Sequence, residues 1–405
     1  MNARLAPHAV AAPATAPGLG TDALDRGALD RDALDPDALE RLARLREADG
    51  EECGLDGAVE RLRGAGWLRA CLPVGEGGAG LATDADPDAV RATCDALRAL
   101  GRADLALARL WEGHANAVKL VALHADAALR RIAFDRVRAG AVLGVWGAPG
   151  ADPLRVASVG ADGWRLAGAK AYASGLGLVS LAIVTVADPE VDGASRLLLV
   201  DVDDPARQAP GEWRASGMRA TRSGGYSFDG VTLAPVRALG GPGVYEREPW
   251  FQGGTWRYAS AHVGAMEAIA DEALAHLAAR GREADPHQAA RLGRAFALVA
   301  GARALVERTA TEVETVDPDD RIACERVVAL ALLARELVED HAVELLALVE
   351  RSLGMAAHER GTRIERLRRD LGLYLRQAAP DAKLAHAAAA IAAAGAAGRS
   401  LGALW

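Results

Sequence analysis

Gly163-Trp-Arg-Leu-Ala-Gly-Ala-Lys-Ala-Tyr-Ala-Ser174 is followed by Leu181-Ala-Ile-Val-Thr-Val186, and later by Gly217-Met-Arg-Ala-Thr-Arg-Ser223 and Phe228-Asp-Gly-Val-Thr-Leu-Ala-Pro235. Short β-branched and aromatic runs separated by Gly, Asp and Pro read as strands joined by tight turns. Residues 163–172, 181–186, 197–202 and 226–233 make four such runs between positions 141 and 240. No helix of crossover length fits between them, so a compact antiparallel barrel or sandwich is expected and a parallel Rossmann sheet is disfavoured.

On both sides of this block the apolar spacing is helical. Upstream, apolar residues fall at intervals of three and four within each of three groups, Leu42 and Leu45, then Val59 and Leu62, then Val90, Cys94, Leu97 and Leu100, punctuated by Gly64-Ala-Gly66 and Pro73. Downstream, helices are predicted over 258–279, 288–316 (stopped by Pro318), 322–353, 363–375 and 381–394. The fold class is therefore α+β, mainly α. Its parts are a flexible arm over 1–38, a helical domain over 39–140, a β domain over 141–240 and a helical bundle over 241–405. The arm carries Pro36 and an imperfect Ala-Leu-Asp repeat at Ala23, Ala28 and Ala33, with too few apolar residues for a core of its own.

Composition excludes several classes. With 51% hydrophobic and 25% charged residues over 405 positions, the chain has ample material for a globular core. The net charge of −8 comes from 47 basic and 55 acidic residues scattered without a basic stripe, so neither nucleic acid nor a membrane surface is an expected partner. Cys53, Cys71, Cys94 and Cys324 form no Cys-x-x-Cys pair, which argues against zinc and fits reduced thiols in a cytoplasm. Neither a secretory leader nor an uninterrupted apolar span is expected. Gly75-Glu-Gly-Gly-Ala-Gly80 spells a dinucleotide fingerprint, but the mechanism of that motif needs a strand before it and a helix N-terminus after it. A turn between helices is the expectation.

The order of these pieces resembles the acyl-CoA dehydrogenase family, over nearly the whole chain from about residue 39. Glu365-Arg-Leu-Arg-Arg-Asp370 resembles that family's Glu-Arg-x-x-Arg-Asp element, and Ser352-Leu-Gly354 a degraded Gly-Gly turn. The resemblance implies FAD, with its isoalloxazine between the β domain and the C-terminal helices. Tyr172-Ala173-Ser174 matches the aromatic-x-Thr/Ser element whose hydroxyl approaches flavin N5. Val145-Trp146-Gly147-Ala-Pro-Gly150 stands where the family has Thr-Glu-Pro-Gly; it keeps Pro149 and Gly150, so contacts from this loop would be mostly backbone, and Trp146 either stacks on the ring or fills core. Arg280 or Arg282 with Gln288 stand for the Arg and Gln that grip the adenosine diphosphate of a neighbouring subunit's FAD, although the intervening Phe-Gly is absent. A homodimer or homotetramer is implied.

Dehydrogenation of an acyl thioester removes a proton from Cα while hydride leaves Cβ, and so weak a carbon acid needs a positioned carboxylate. The family places it after the Arg-Asp pair or, in some branches, just before an Arg on the first long C-terminal helix. Here the first place has no Glu, and Trp256 precedes Arg257. Asp381 is the carboxylate nearest the first place, yet an Asp after Pro380 also suits a helix cap. The same fold serves monooxygenases that employ a His and a Ser beside the flavin; His114 with Ser174 fits that use, His358 less directly, and His114 equally reads as a hydrogen-bonded core residue. The leading expectation is an FAD-dependent oxidoreductase taking hydride from an acyl thioester, CoA esters among them, or a related acyl substrate, and passing electrons to an acceptor flavoprotein or oxygen. A flavin-dependent monooxygenase and a non-catalytic assembly partner are the alternatives.

Overall fold

The computed structural model describes residues 54–160, 163–188, 191, 193–377 and 379–399. The N-terminal arm and Cys53 lie outside them. Among the described residues five helices come first: α1 (Asp56–Gly64), α2 (Trp67–Ala70), α3 (Pro87–Ala103), α4 (Leu105–His124) and α5 (Ala127–Arg138). Aspartates set where the later three begin, because the carboxylates of Asp86, Asp104 and Asp126 each accept a backbone N–H from the first turn. The Gly75–Gly80 run forms a short 3₁₀ turn and loop with no strand before it.

The strands follow: β1 (Val142–Trp146), β2 (Arg155–Gly160), β3 (Gly163–Ala167), β4 (Ala169–Ala173), β5 (Val179–Ala187), β6 (Ser195–Asp201), β7 (Gln208–Ala209), β8 (Gly224–Ser227), β9 (Thr232–Leu233) and β10 (Ala238–Leu239). They form three small sheets, in the orders β1-β5-β6-β10, β2-β3-β9 and β4-β8-β7. The expectation of purely antiparallel pairing needs one correction: β1 runs parallel to β5, with Val145 opposite Ile183. The expected strand over 163–172 is two strands broken at Gly168, whose φ of +97° and close approach to the Pro153 carbonyl admit no side chain.

Five more helices follow among the described residues: α6 (Trp256–Ala278), α7 (Pro286–Thr315), α8 (Arg321–Leu353), α9 (Arg363–Tyr374) and α10 (Pro380–Ala396). Buried on nearly every side, α6 is the axis of the molecule. It lies against α3 at two glycines: a Cβ on Gly101 would come within 2.1 Å of the Ala261 carbonyl, and one on Gly264 within 2.1 Å of the Arg98 carbonyl. Backbone contact this close excludes water and ties the helices of the two ends of the chain together, leaving the sheets between them.

Candidate functional site

Two sequence elements far apart in the chain meet where the β domain touches α9. The backbone N–H of Met218 donates to Asp370 Oδ1 at 2.7 Å, and Gly217 lies so close to α9 that a Cβ would sit 2.7 Å from the Arg369 carbonyl. Burial first, then the nearby Asp104 carboxylate, push Asp370 up to about 6. Arg366 pairs with Asp104 and Arg369 with Glu365, each at 3.2 Å.

From Met218 a chain of hydroxyls leads to Ser174. The Thr221 hydroxyl is 2.7 Å from the Met218 carbonyl and 2.8 Å from Ser223 Oγ, and Ser223 donates to Ser174 Oγ at 3.0 Å. With one hydrogen supplied from Ser223, Ser174 keeps its own to direct elsewhere. Tyr172, two residues before, holds a left-handed φ of +53° and is 67% exposed, its ring edge-on to Trp213 at 6.1 Å. Ala173 between them is fully buried, so only its backbone is on offer. Ser223 and Trp213 line a surface groove of about 410 Å³ together with Leu176, Arg219 and Arg222.

Trp146 corrects one of the two expectations for it. Its ring is 2% exposed, donates Nε1–H to the Ser174 carbonyl at 3.1 Å and packs against Tyr226; it fills core and cannot stack on a ligand. Val145 and Gly147 flank it differently. Val145 lines an interior cavity of about 170 Å³, and the Tyr245 hydroxyl that lines the same cavity would lie 3.7 Å from a Cβ on Gly147. The Gly147 carbonyl is held by buried Lys170, whose Nζ donates to it and to Thr185 Oγ1, both at 2.9 Å. Burial draws Lys170 down to about 8.

That cavity lies between α4, α6 and the loop 244–255, and its floor is charged. Arg109 pairs with Glu112 at 2.7 Å, Arg257 lies 3.7 Å from both Glu112 and Glu314, and Lys119 contacts Glu314. Glu314 also accepts the indole N–H of Trp256 at 3.0 Å. Burial opposes ionisation of Glu314, but Lys119 and Arg257 together outweigh it and hold its pKa below the ordinary value. Burial conversely draws Lys119 down; with the ammonium in contact with an ionised carboxylate, the pair is charged. Tyr245, Trp250, Phe251 and Tyr258 supply aromatic walls. None of these charged groups was singled out from sequence. The signal was there: Arg109, Glu112, Asn116 and Lys119 recur at helical spacing as a polar stripe on α4, whose buried residues are otherwise mostly Ala, Leu and Val.

The remaining expected site residues lie elsewhere. His114 is fully buried, Nε2–H facing the Leu68 carbonyl at 2.9 Å and Nδ1 accepting the Leu143 N–H at 3.0 Å. Burial draws it down to about 4, so it is a neutral bracket joining α2, α4 and β1 with no nitrogen to offer a substrate; as a catalytic candidate it is corrected. Asp381 is exposed in the first turn of α10, whose cap position is Ala379, so it neither caps the helix nor lines the cavity. Arg282 is exposed at the α6–α7 connection, and Gln288 is buried beside Ser352 and Arg291 of its own chain. Among the described residues no group of His, Cys, Asp and Glu could hold a metal ion, and no helix is long and apolar enough to cross a membrane.

No protein-family model matches the sequence, and no curated protein matches it. Solved structures do. Dibenzothiophene monooxygenase TdsC from Paenibacillus sp. A11-2, in its FMN-bound form, is 23% identical over 90% of this chain and 95% of its own, with a TM-score of 0.73. KijD3 in complex with FMN and a dTDP-linked amino-keto sugar is 23% identical over 92% of this chain and 93% of its own, at 0.75. Methanesulfinate monooxygenase MsuC from Pseudomonas fluorescens is 19% identical over 87% and 93%, at 0.74. At this identity the likeness establishes the fold, which is the acyl-CoA dehydrogenase-like fold.

Proposed function

We propose that this chain is a flavin-dependent monooxygenase built on the acyl-CoA dehydrogenase-like fold. The observation that carries this reading is the charged cavity. Among its described lining residues the one carboxylate, Glu112, is engaged by Arg109 at 2.7 Å and flanked by Arg257 at 3.7 Å, so it is turned to its cationic neighbours and not presented to a substrate carbon. Burying an aliphatic acyl chain against Arg109, Glu112, Lys119 and Arg257 would also strip those charges of water for nothing in return. Dehydrogenation of an acyl thioester, the leading sequence expectation, therefore has less support than oxygenation, which is also the activity named for two of the similar structures.

The residues present fit a flavin. Val145, the Gly147 backbone, Tyr172 and Ser174 would hold it, and bound flavin would supply two-electron redox chemistry. Ser174, fed by the Thr221–Ser223 hydroxyls, would direct its own hydrogen at the ring. The Lys170-pinned Gly147 segment would fix the ring's edge, and Trp250 and Phe251 would shed water from the adjacent cavity. FMN suits the chain better than FAD: the Phe-Gly of the family's diphosphate clamp is missing and Gln288 is engaged within its own chain. In the net reaction one atom of dioxygen enters the substrate and the other leaves as water, with two electrons and two protons from reduced flavin.

The test supplies reduced FMN aerobically with a panel of small aromatic substrates and follows labelled dioxygen into product by mass spectrometry. Label in the product supports the proposal. Anaerobic bleaching of bound flavin by an acyl-CoA, with no label incorporated, overturns it in favour of dehydrogenation.

A further inference from the structure

We infer that the interior cavity selects a small aromatic molecule bearing an anionic oxygen group, a carboxylate in the simplest case, with Arg257 as its anchor. This names the substrate class for the site proposed above and rests on that reading, but its argument is separate.

The floor of the cavity carries three cations, Arg109, Lys119 and Arg257, against one lining carboxylate, Glu112, and a second, Glu314, that lies behind Lys119 and Arg257. No other described carboxylate pairs with the three, so one positive charge is uncompensated in a buried place. Such a surplus is costly until an anion neutralises it. Arg257 is where the surplus resides: it is 5% exposed, and its distances to Glu112 and Glu314 are both 3.7 Å, beyond hydrogen-bond reach. Only Nη2 is bonded, to Asn116 Oδ1 at 2.9 Å, while Nε and Nη1 are buried without an acceptor. Next to it on α6, Tyr258 is 7% exposed and its hydroxyl lies beside Arg335, which can only donate, so the phenolic hydrogen has no acceptor. Two adjacent cavity residues thus hold buried donors that an oxyanion would satisfy.

The walls say what the anion is attached to. Tyr245 and Phe251 meet edge to face at 5.0 Å, and Trp250 and Tyr258 continue the aromatic lining. At about 170 Å³ the space suits one ring system rather than an extended chain. At the rim the charges are mixed and do not set the sign: Arg247 lies 3.8 Å from Asp319, and Lys383 lies near the Glu248 carboxylate, which accepts from the backbone N–H groups of Gln252 and Gly253.

Calorimetric titration of the full chain with benzoate and with its neutral isostere benzamide tests the inference without flavin or oxygen. Wild type is expected to bind benzoate at least about tenfold more tightly than benzamide. Arg257→Met removes the surplus and leaves two cations facing two carboxylates, so it should fold, and the preference should fall to about one. Arg257→Lys should restore part of it. Equal affinity for the two compounds in wild type, no binding of either, or a preference that survives Arg257→Met overturns the inference. A benzoate preference in a protein that fails the labelled-dioxygen assay would leave the anion site standing and remove the monooxygenase reading.

Discussion

Asp370 Oδ1 accepts the Met218 N–H at 2.7 Å, and through this bond the last part of the chain fixes the loop that carries the Thr221–Ser223–Ser174 hydroxyls. Met218 needs the help, since its φ of +55° is left-handed and costs a non-glycine residue about 1 kcal/mol or more. Below about pH 5, where the carboxyl is protonated, Asp370→Ala should therefore destabilise by about 0.5–1.5 kcal/mol, the range for a neutral buried hydrogen bond, and weaken flavin binding in parallel. The pH dependence has a definite sign. The carboxyl is raised from 3.8 to about 6 on folding, so its contribution is fully present below pH 4 and is lost as pH rises through 6, by up to roughly 3 kcal/mol. Urea unfolding of wild type and Asp370→Asn between pH 4 and 7 checks this: the gap between them should move in favour of the variant as pH rises, and a constant gap rules the assignment out.

Much of the architecture was legible because the hydrophobic period changes from 3.6 to 2 near residue 141 and back after Pro249; the helix starts, capped by Asp86, Asp104, Asp126, Asp285 and Asp320, come from the structure. What was not legible depended on distant partners. The run Val142–Trp146 is apolar without alternation and could not be told from buried helix, so its parallel pairing with β5 went unseen. The site shows the same division. Tyr172 and Ser174, which we propose for the flavin, sit in one local run that resembles a family element, whereas the charged floor arises only when α4, α6 and α7 close on one another, and each charge alone looks like part of a solvated face.

Tyr172 separates strain from function. An aromatic residue at φ +53° and 67% exposure has little stabilising reason to be there beyond its edge contact with Trp213. Tyr172→Gly relieves the backbone and loses that contact, so thermal stability should change by less than about 1 kcal/mol. If the ring meets flavin, FMN affinity by fluorescence titration should fall about tenfold or more. Unaltered affinity would place flavin elsewhere.

His114 should behave as a structural residue. Its pKa is lowered from 6.5 to about 4 by burial, so its contribution is intact above pH 6.5 and is lost as pH falls toward 4, by up to roughly 3 kcal/mol. His262, drawn down to about 3 by burial and then by Arg335, adds with the same sign. His114→Gln should cost about 2–4 kcal/mol at pH 7 through its two buried hydrogen bonds, and flatten the acid limb of the stability curve by about one proton. Loss of turnover in a variant with wild-type stability would instead return His114 to the chemistry.

Lys170 offers the opposite test, because here the charge is a liability that position demands. The ammonium is 4% exposed, has no carboxylate among its bonded partners, and is lowered from 10.5 to about 8 by burial. A depressed amine stabilises above pH 10.5 and loses that contribution as pH falls through 8, so at pH 7 the wild type carries a cost of up to roughly 3 kcal/mol. In Lys170→Met the Gly147 carbonyl still accepts from Thr185 Oγ1 at 3.1 Å, so no buried acceptor is orphaned. The variant should match or exceed wild type in thermal stability at pH 7, and the difference should swing toward wild type by pH 10. FMN affinity should fall at both pH values, since one of two ties on the Gly147 carbonyl is gone. A stability difference flat from pH 7 to 10 excludes Lys170 as a buried titrating amine, and unchanged FMN affinity excludes the Gly147 segment from the flavin site.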